Sequence, residues 1–127
     1  MNKRILIVDD HEQVGFYLKA GLIRAVNGYE VQTACSGEEA LAAMAAQPFD
    51  LVISDLQMPG IDGLALIQQV RERYSRTSLI LMTCHRDREI EAAALRLGAC
   101  GKLTKPFYRN ELFAMVQMAL AQPGTPE

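Results

Sequence analysis

Five times along the chain a short strand-like stretch, apolar or alternating, ends in polar residues and is followed by residues at helical spacing; this succession limits the fold more than any other feature. Arg4-Ile5-Leu6-Ile7-Val8 runs into Asp9-Asp10, and Leu51-Val52-Ile53 is followed two residues later by Asp55. Leu79-Ile80-Leu81-Met82 ends in Thr83, and a shorter run from Cys100 to Thr104 ends at Lys105-Pro106. Continuous β-branched and leucine-rich runs of this length read as strands buried on both faces of a parallel sheet. Tyr29 to Ala34 alternates instead and reads as a more exposed strand.

The intervening stretches carry helix signals. Val14, Leu18, Leu22 and Ala25 or Val26 form one stripe from about Glu12, and Gly28 stops it. Ser36-Gly37-Glu38-Glu39 is a capping box that opens an alanine-rich helix to about Ala46, closed by Gln47-Pro48. Pro59 and Gly60 break the chain after Asp55, and Asp62 can cap a helix carrying Leu64, Ile67, Val70 and Tyr74. Arg86 to Leu97 reads as a helix with Ile90, Ala93, Ala94 and Leu97 inward and Gly98 as its stop. A last helix from about Tyr108 to Ala121 carries Leu112, Met115, Val116 and Ala119. Five β–α units in strict order imply an α/β fold: a doubly wound parallel sheet with right-handed crossovers and helices on both faces.

At 127 residues the chain is expected to be one domain, long enough to bury roughly 65–70% of its unfolded surface. Residues 1–121 make that domain, and the polar, proline-rich stretch 122–127 is a flexible tail or the start of a linker. A net charge of −2 argues against the chain gripping nucleic acid by itself, which requires a basic face. The apolar runs are too short for a signal peptide or membrane span, so a cytoplasmic location is expected. Cys35, Cys84 and Cys100 form no paired motif and are expected as small buried hydrophobes in a reducing compartment. His11 and His85 read as surface residues.

In a sheet of this kind all strand carboxyl ends share one edge, where ligands bind. That edge collects Asp9, Asp10, Asp55, Thr83 and Lys105. Taken singly, each has a bland explanation: an Asp after a strand caps helices or forms turns, and a Lys before Pro lies in a solvated loop. Taken together they are not a packing requirement. Carboxylates about 4 Å apart repel by about 4 kcal/mol at an effective dielectric near 20. Lys105 supplies one offsetting charge. A hard divalent ion such as Mg²⁺ would supply the rest and could screen an incoming phosphoryl group.

The order and spacing of Val-Asp-Asp at 8–10, Asp55 with Met58-Pro59-Gly60 and Asp62-Gly63, Met82-Thr83, and Lys105-Pro106-Phe107 resemble the receiver domain of bacterial two-component response regulators. The resemblance covers residues 3–121 and implies a flavodoxin-like sheet of order 2-1-3-4-5. It implies that Asp55 is a phosphoacceptor served by a histidine kinase or phosphotransfer protein. It implies Mg²⁺ or Mn²⁺ held by Asp10, Asp55 and the backbone carbonyl of Gln57, with Asp9 acting indirectly. Thr83 and Lys105 would bind phosphoryl oxygens, and the Lys105-Pro106 bond would be cis. A C-terminal effector domain and a homodimer are compatible with it.

One position departs from the pattern. The family usually has an aromatic residue three before the lysine, as a switch that moves with the threonine; here it is Lys102. A charged side chain in that apolar slot carries a desolvation cost, so the output face is expected to switch weakly or by another route. Gln57, Cys84 and His85 line the same mouth and would tune water access to the phosphoryl group. Two further readings compete. A phosphohydrolase with an aspartyl nucleophile would carry a second Asp two residues on, where this chain has Gln57. A phosphorylation-independent interaction module would not need every pocket residue, and all are present.

Overall fold

The computed structural model describes residues 3–25, 28–56, 63–83 and 88–121. Expectations that fall on Val26, on 57–62 (Gln57 and the Asp62 cap among them), on 84–87 (Cys84 and His85) and on the tail lie outside the described residues, as does the Ile90 side chain. The chain alternates β1 (Lys3–Val8), α1 (Glu12–Ala25), β2 (Tyr29–Ala34), α2 (Gly37–Ala46), β3 (Leu51–Asp55), α3 (Gly63–Arg73), β4 (Ser78–Thr83), α4 (Arg88–Arg96), β5 (Gly101–Thr104) and α5 (Arg109–Ala121). The five strands form one parallel sheet in the order β2-β1-β3-β4-β5.

Burial follows the position of each strand in that order. Every residue of the central strands β3 and β4 is buried, as their unbroken apolar runs require. Edge strand β2 buries only Val31 and Ala34, which face opposite layers of the core, so its burial does not follow the alternation of its sequence. The two-residue period of a strand divides the core into two clusters. Ile5, Ile7, Leu51, Ile53, Ile80 and Met82 pack with Leu18 and Leu22 of α1 and Leu112, Val116 and Ala119 of α5. Leu6, Val8, Val52, Leu79 and Leu81 pack with Ala40 and Met44 of α2, Leu66, Ile67 and Val70 of α3, and Ala94 of α4. Each fully buried Leu or Ile contributes about 1.5–3 kcal/mol relative to exposure, so both layers hold the sheet in register.

Local signals set the helix ends. Ser36 Oγ accepts from the Glu39 amide at 3.0 Å, while the Glu39 carboxylate accepts from the Cys35 amide at 3.0 Å instead of the cap residue's own. Gly98, at φ +97°, ends α4 with the Gly98 amide donating to Leu95 O and the Ala99 amide to Ala94 O, both at 3.0 Å. From α3, Arg71 donates to Gly98 O at 3.0 Å and to Ser75 O at 2.7 Å, tying two helices to the turn before β5. The cysteines correct an expectation: Cys35 is half-buried and Cys100 exposed, both free thiols, because each lies at the end of an edge strand. Among the described residues no helix is long and apolar enough to cross a membrane.

Two glycines in helices have opposite surroundings. A Cβ at Gly63 would lie 2.6 Å from the Asp55 carbonyl oxygen and 2.6 Å from Leu56 Cα, both backbone atoms. The Gly63 amide also donates to Leu56 O at 2.9 Å, so α3 starts in contact with the end of β3. A Cβ at Gly21 would meet nothing nearer than the Phe113 ring at 4.0 Å. In urea denaturation Gly63→Ala is expected to lower stability by about 1–3 kcal/mol through forced backbone displacement. Gly21→Ala is expected to raise it by about 0.4–1 kcal/mol, since the helix interior accepts Ala without strain. Equal effects from both would contradict the close approach at residue 63.

Candidate functional site

Strand register brings the acids together. Ile7 pairs with Ile53 across β1 and β3, so the residues that follow at the carboxyl ends, Asp9 and Asp55, come side by side. β3 runs through Ser54 and ends on Asp55 itself, paired with Met82 of β4. Asp9 has no exposed side-chain area and Asp55 only 9%, whereas Asp10 keeps 27%. Thr83 is buried at the end of β4, paired with Thr104, and its carbonyl accepts from the Lys105 amide at 2.6 Å.

Lys105 spans the two buried acids. Its ammonium donates to Asp9 Oδ2 and to Asp55 Oδ2, each at 3.1 Å, from the end of β5 beyond β4. The Lys105–Pro106 peptide bond is cis. Burial by itself would lower the lysine pKa. The hydrogen bond to Asp9, the charge of Asp55 and its hydrogen bond outweigh that and hold the ammonium above its ordinary value.

Asp9 is engaged on both oxygens, since its Oδ1 accepts from the His11 amide at 2.8 Å. Asp10 is not: its Oδ1 is buried and has no hydrogen-bond partner. His11 Nδ1 lies 3.2 Å from that oxygen, at ion-pair distance but without hydrogen-bond alignment, and 3.2 Å from Asp9 Oδ1. One donor atom from each of Asp9, Asp10, His11 and Asp55 lies within 4.8 Å of the others, so the cluster could hold a metal ion. A buried orphan oxygen among carboxylates fits a hard divalent cation, which would satisfy it.

The structure thus joins Asp9, Asp10, Asp55 and Lys105, and places Thr83 on the adjoining strand end. Gln57 lies outside the described residues. Lys102 sits on β5 opposite Leu81, half-buried, beside a cleft of about 690 Å³ formed with Leu103, Glu111, Met115 and Met118. His11 is the residue that sequence reasoning set aside. Its ring is 69% exposed, as a surface residue's would be, yet it touches both leading acids. The available signal was adjacency: it follows Asp9-Asp10 directly and accepts the Val14 amide that opens α1.

The sequence matches the response regulator receiver domain family over residues 5–117. The chain belongs to that family. The DNA-binding transcriptional regulator NtrC of Salmonella typhimurium is 37% identical over 117 residues, covering 92% of this chain and 24% of that protein. The alkaline phosphatase synthesis transcriptional regulatory protein PhoP of Bacillus subtilis is 36% identical over 120 residues, 94% of this chain and 49% of that one. The chain therefore spans a quarter to a half of these relatives. The crystal structure of the chemotaxis protein CheY4 of Vibrio cholerae superposes with a TM-score of 0.88 at 34% identity, over 94% of this chain and 100% of that one. Receiver domains act as switches in two-component signalling, and the sheet order and acidic edge of this chain agree with that role.

The lysine bridge has a pH signature. Because the folded pKa of Lys105 is raised, its stabilisation is complete below the unfolded value near 10.4 and is lost as pH rises through the higher folded value. Lys105→Met is expected to lose about 1–3 kcal/mol at neutral pH. The gap to wild type should stay level through neutral pH and close above about pH 10.4 in a denaturation series. A gap that shrinks well below that pH would contradict the assignment.

Proposed function

We propose that Asp55 is the phosphoacceptor of a receiver switch that spans residues 1–121 and takes its phosphoryl group from a histidine kinase or phosphotransfer protein. The observation that carries this reading is the Lys105 ammonium held 3.1 Å from both Asp9 and Asp55, beside the orphan oxygen of Asp10. Asp10 and Asp55, with the backbone carbonyl of Gln57, would hold Mg²⁺ or Mn²⁺. Asp9, already engaged on both oxygens, acts indirectly by holding Lys105. A bound ion supplies positive charge to the phosphoryl oxygens.

In the transfer an Asp55 carboxylate oxygen attacks phosphorus in line. The new P–O bond forms as the P–N bond to the donor histidine breaks, and the electron pair leaves with the imidazole nitrogen. Lys105 needs little movement to follow the charge from the Asp55 carboxylate to the new phosphoryl oxygens. Thr83, at the neighbouring strand end, donates its hydroxyl to another of them. The domain assists its own phosphorylation and dephosphorylation and turns over no separate substrate. Relatives named as transcriptional regulators extend well beyond the matched region, which supports an effector segment C-terminal to this domain. We place the protein in the cytoplasm, away from membrane and without nucleic-acid contacts of its own, with a homodimer as a further assembly.

Incubation with acetyl phosphate and Mg²⁺ is expected to add the mass of one phosphoryl group, with none on Asp55→Asn. Thr83→Ala and Lys105→Ala should each slow the reaction by about 10²–10³-fold. No mass increase in wild type would favour a phosphorylation-independent interaction module instead.

Lys102 takes the place of the usual switch aromatic, and we propose that the β5–α5 face consequently responds weakly or by another route. Amide spectra before and after phosphorylation should show a larger shift through α5 in Lys102→Tyr than in wild type. Equal shifts in both proteins would show that residue 102 has no part in the response.

A further inference from the structure

We infer that His11 is a nitrogen ligand to the divalent ion, so that this receiver prefers imidazole-accepting transition metals to Mg²⁺. The inference rests on the metal-assisted reading above and adds a residue that the reading does not use. Asp10 Oδ1 is buried and lacks a hydrogen-bond partner, so a cation would satisfy it. His11 Nδ1 lies 3.2 Å from that oxygen and 3.2 Å from Asp9 Oδ1. Neighbouring ligand atoms around an octahedral ion with bonds of 2.0–2.1 Å are about 3.0 Å apart, so the His11–Asp10 spacing suits two ligands of one ion. The alternative, a protonated Nδ1 donating to Asp9 Oδ1 at 3.2 Å, leaves the buried Asp10 oxygen without a partner.

The backbone supports the placement. His11 precedes α1, its amide donates to Asp9 at 2.8 Å, and its carbonyl accepts from Val14 at 3.0 Å and Gly15 at 3.2 Å. The ring is therefore carried on a fixed main chain, open to solvent on one side and facing the acids on the other. Magnesium takes oxygen donors and keeps several waters, gaining little from an imidazole. Manganese, cobalt and nickel gain progressively more from it. One histidine among three carboxylates thus tilts selectivity within a site that otherwise suits a hard ion.

The chain has two histidines, so an untagged His85→Gln protein leaves residue 11 as the sole imidazole. Loaded with Mn²⁺, this protein is expected to show spin-echo modulation from a coordinated nitrogen that shifts when its histidine is isotopically labelled. Calorimetry with metal alone should show His11→Gln losing about tenfold or more in Ni²⁺ affinity, and much less in Mg²⁺ affinity. Mn²⁺ bound without a nitrogen signal, or parallel losses for Ni²⁺ and Mg²⁺, would overturn the role of His11 and leave Asp55 as phosphoacceptor untouched. Wild type binding no divalent ion would instead remove the metal from the proposed function, and this inference with it. The spectroscopic arm keeps residue 11 intact, so it decides the matter even if His11→Gln folds poorly.

Discussion

A single ammonium lying between two buried carboxylates is the interaction on which this fold's carboxyl edge depends. Asp9 and Asp55 end neighbouring strands, and the pairing of Ile7 with Ile53 leaves them no freedom to separate. Their repulsion is therefore imposed by the same register that packs the core. Lys105 relieves it from β5, reaching across the end of β4 to both acids. With Asp10 added, three carboxylates face one ammonium, so the edge keeps an excess of two formal negative charges. Such an excess suits the edge to a cation, and an anionic phosphoryl group could approach favourably only with a cation there to offset it.

The two core layers turn this local balance into a property of the whole domain. Residues of one parity on β1 and β3 face α1 and α5, and that parity continues outward to Asp9 and Asp55. A slip of one residue in either strand would exchange the buried faces and also part the acids. Core packing and site geometry are consequently specified together. The contact of Gly63 with the Asp55 carbonyl extends this to the start of α3, where any side chain would push on the acid's own backbone.

What could be read in the sequence follows from how local each signal is. Unbroken apolar runs identified β1, β3 and β4, because burial on both faces removes any need for alternation. Ser36 and Gly98 identified helix ends through backbone chemistry that acts within a few residues. The strand order came from family resemblance, since periodicity does not say which strand crosses over. Three features were not legible. The need for glycine at 63 arises from the approach of α3 to β3, and the exposure of Cys100 arises from β5 lying at an edge. The contacts of His11 needed both the turn after β1 and the side-chain direction of Asp10, neither of which has a sequence period.

The asymmetry between Asp9 and Asp10 shows how neighbouring identical residues acquire different work. Asp9 is enclosed, its two oxygens taken by the His11 amide and the Lys105 ammonium, so it is fixed as an orienting group. Asp10 retains partial exposure and a buried oxygen with no hydrogen-bond partner, so of the two acids it is the one that could take a cation. On the proposed function, charge added at Asp55 would compete with Asp9 for the same ammonium. Lys105 is fastened through its amide to Thr83 O and stands three residues beyond Lys102, so on that proposal a displaced ammonium would act on the β4–β5 strand pair. On the face of the sheet that α5 covers, Met115 lies against Gly101 of β5. In the proposed switch Lys102 lies on the one strand between the acidic edge and that contact.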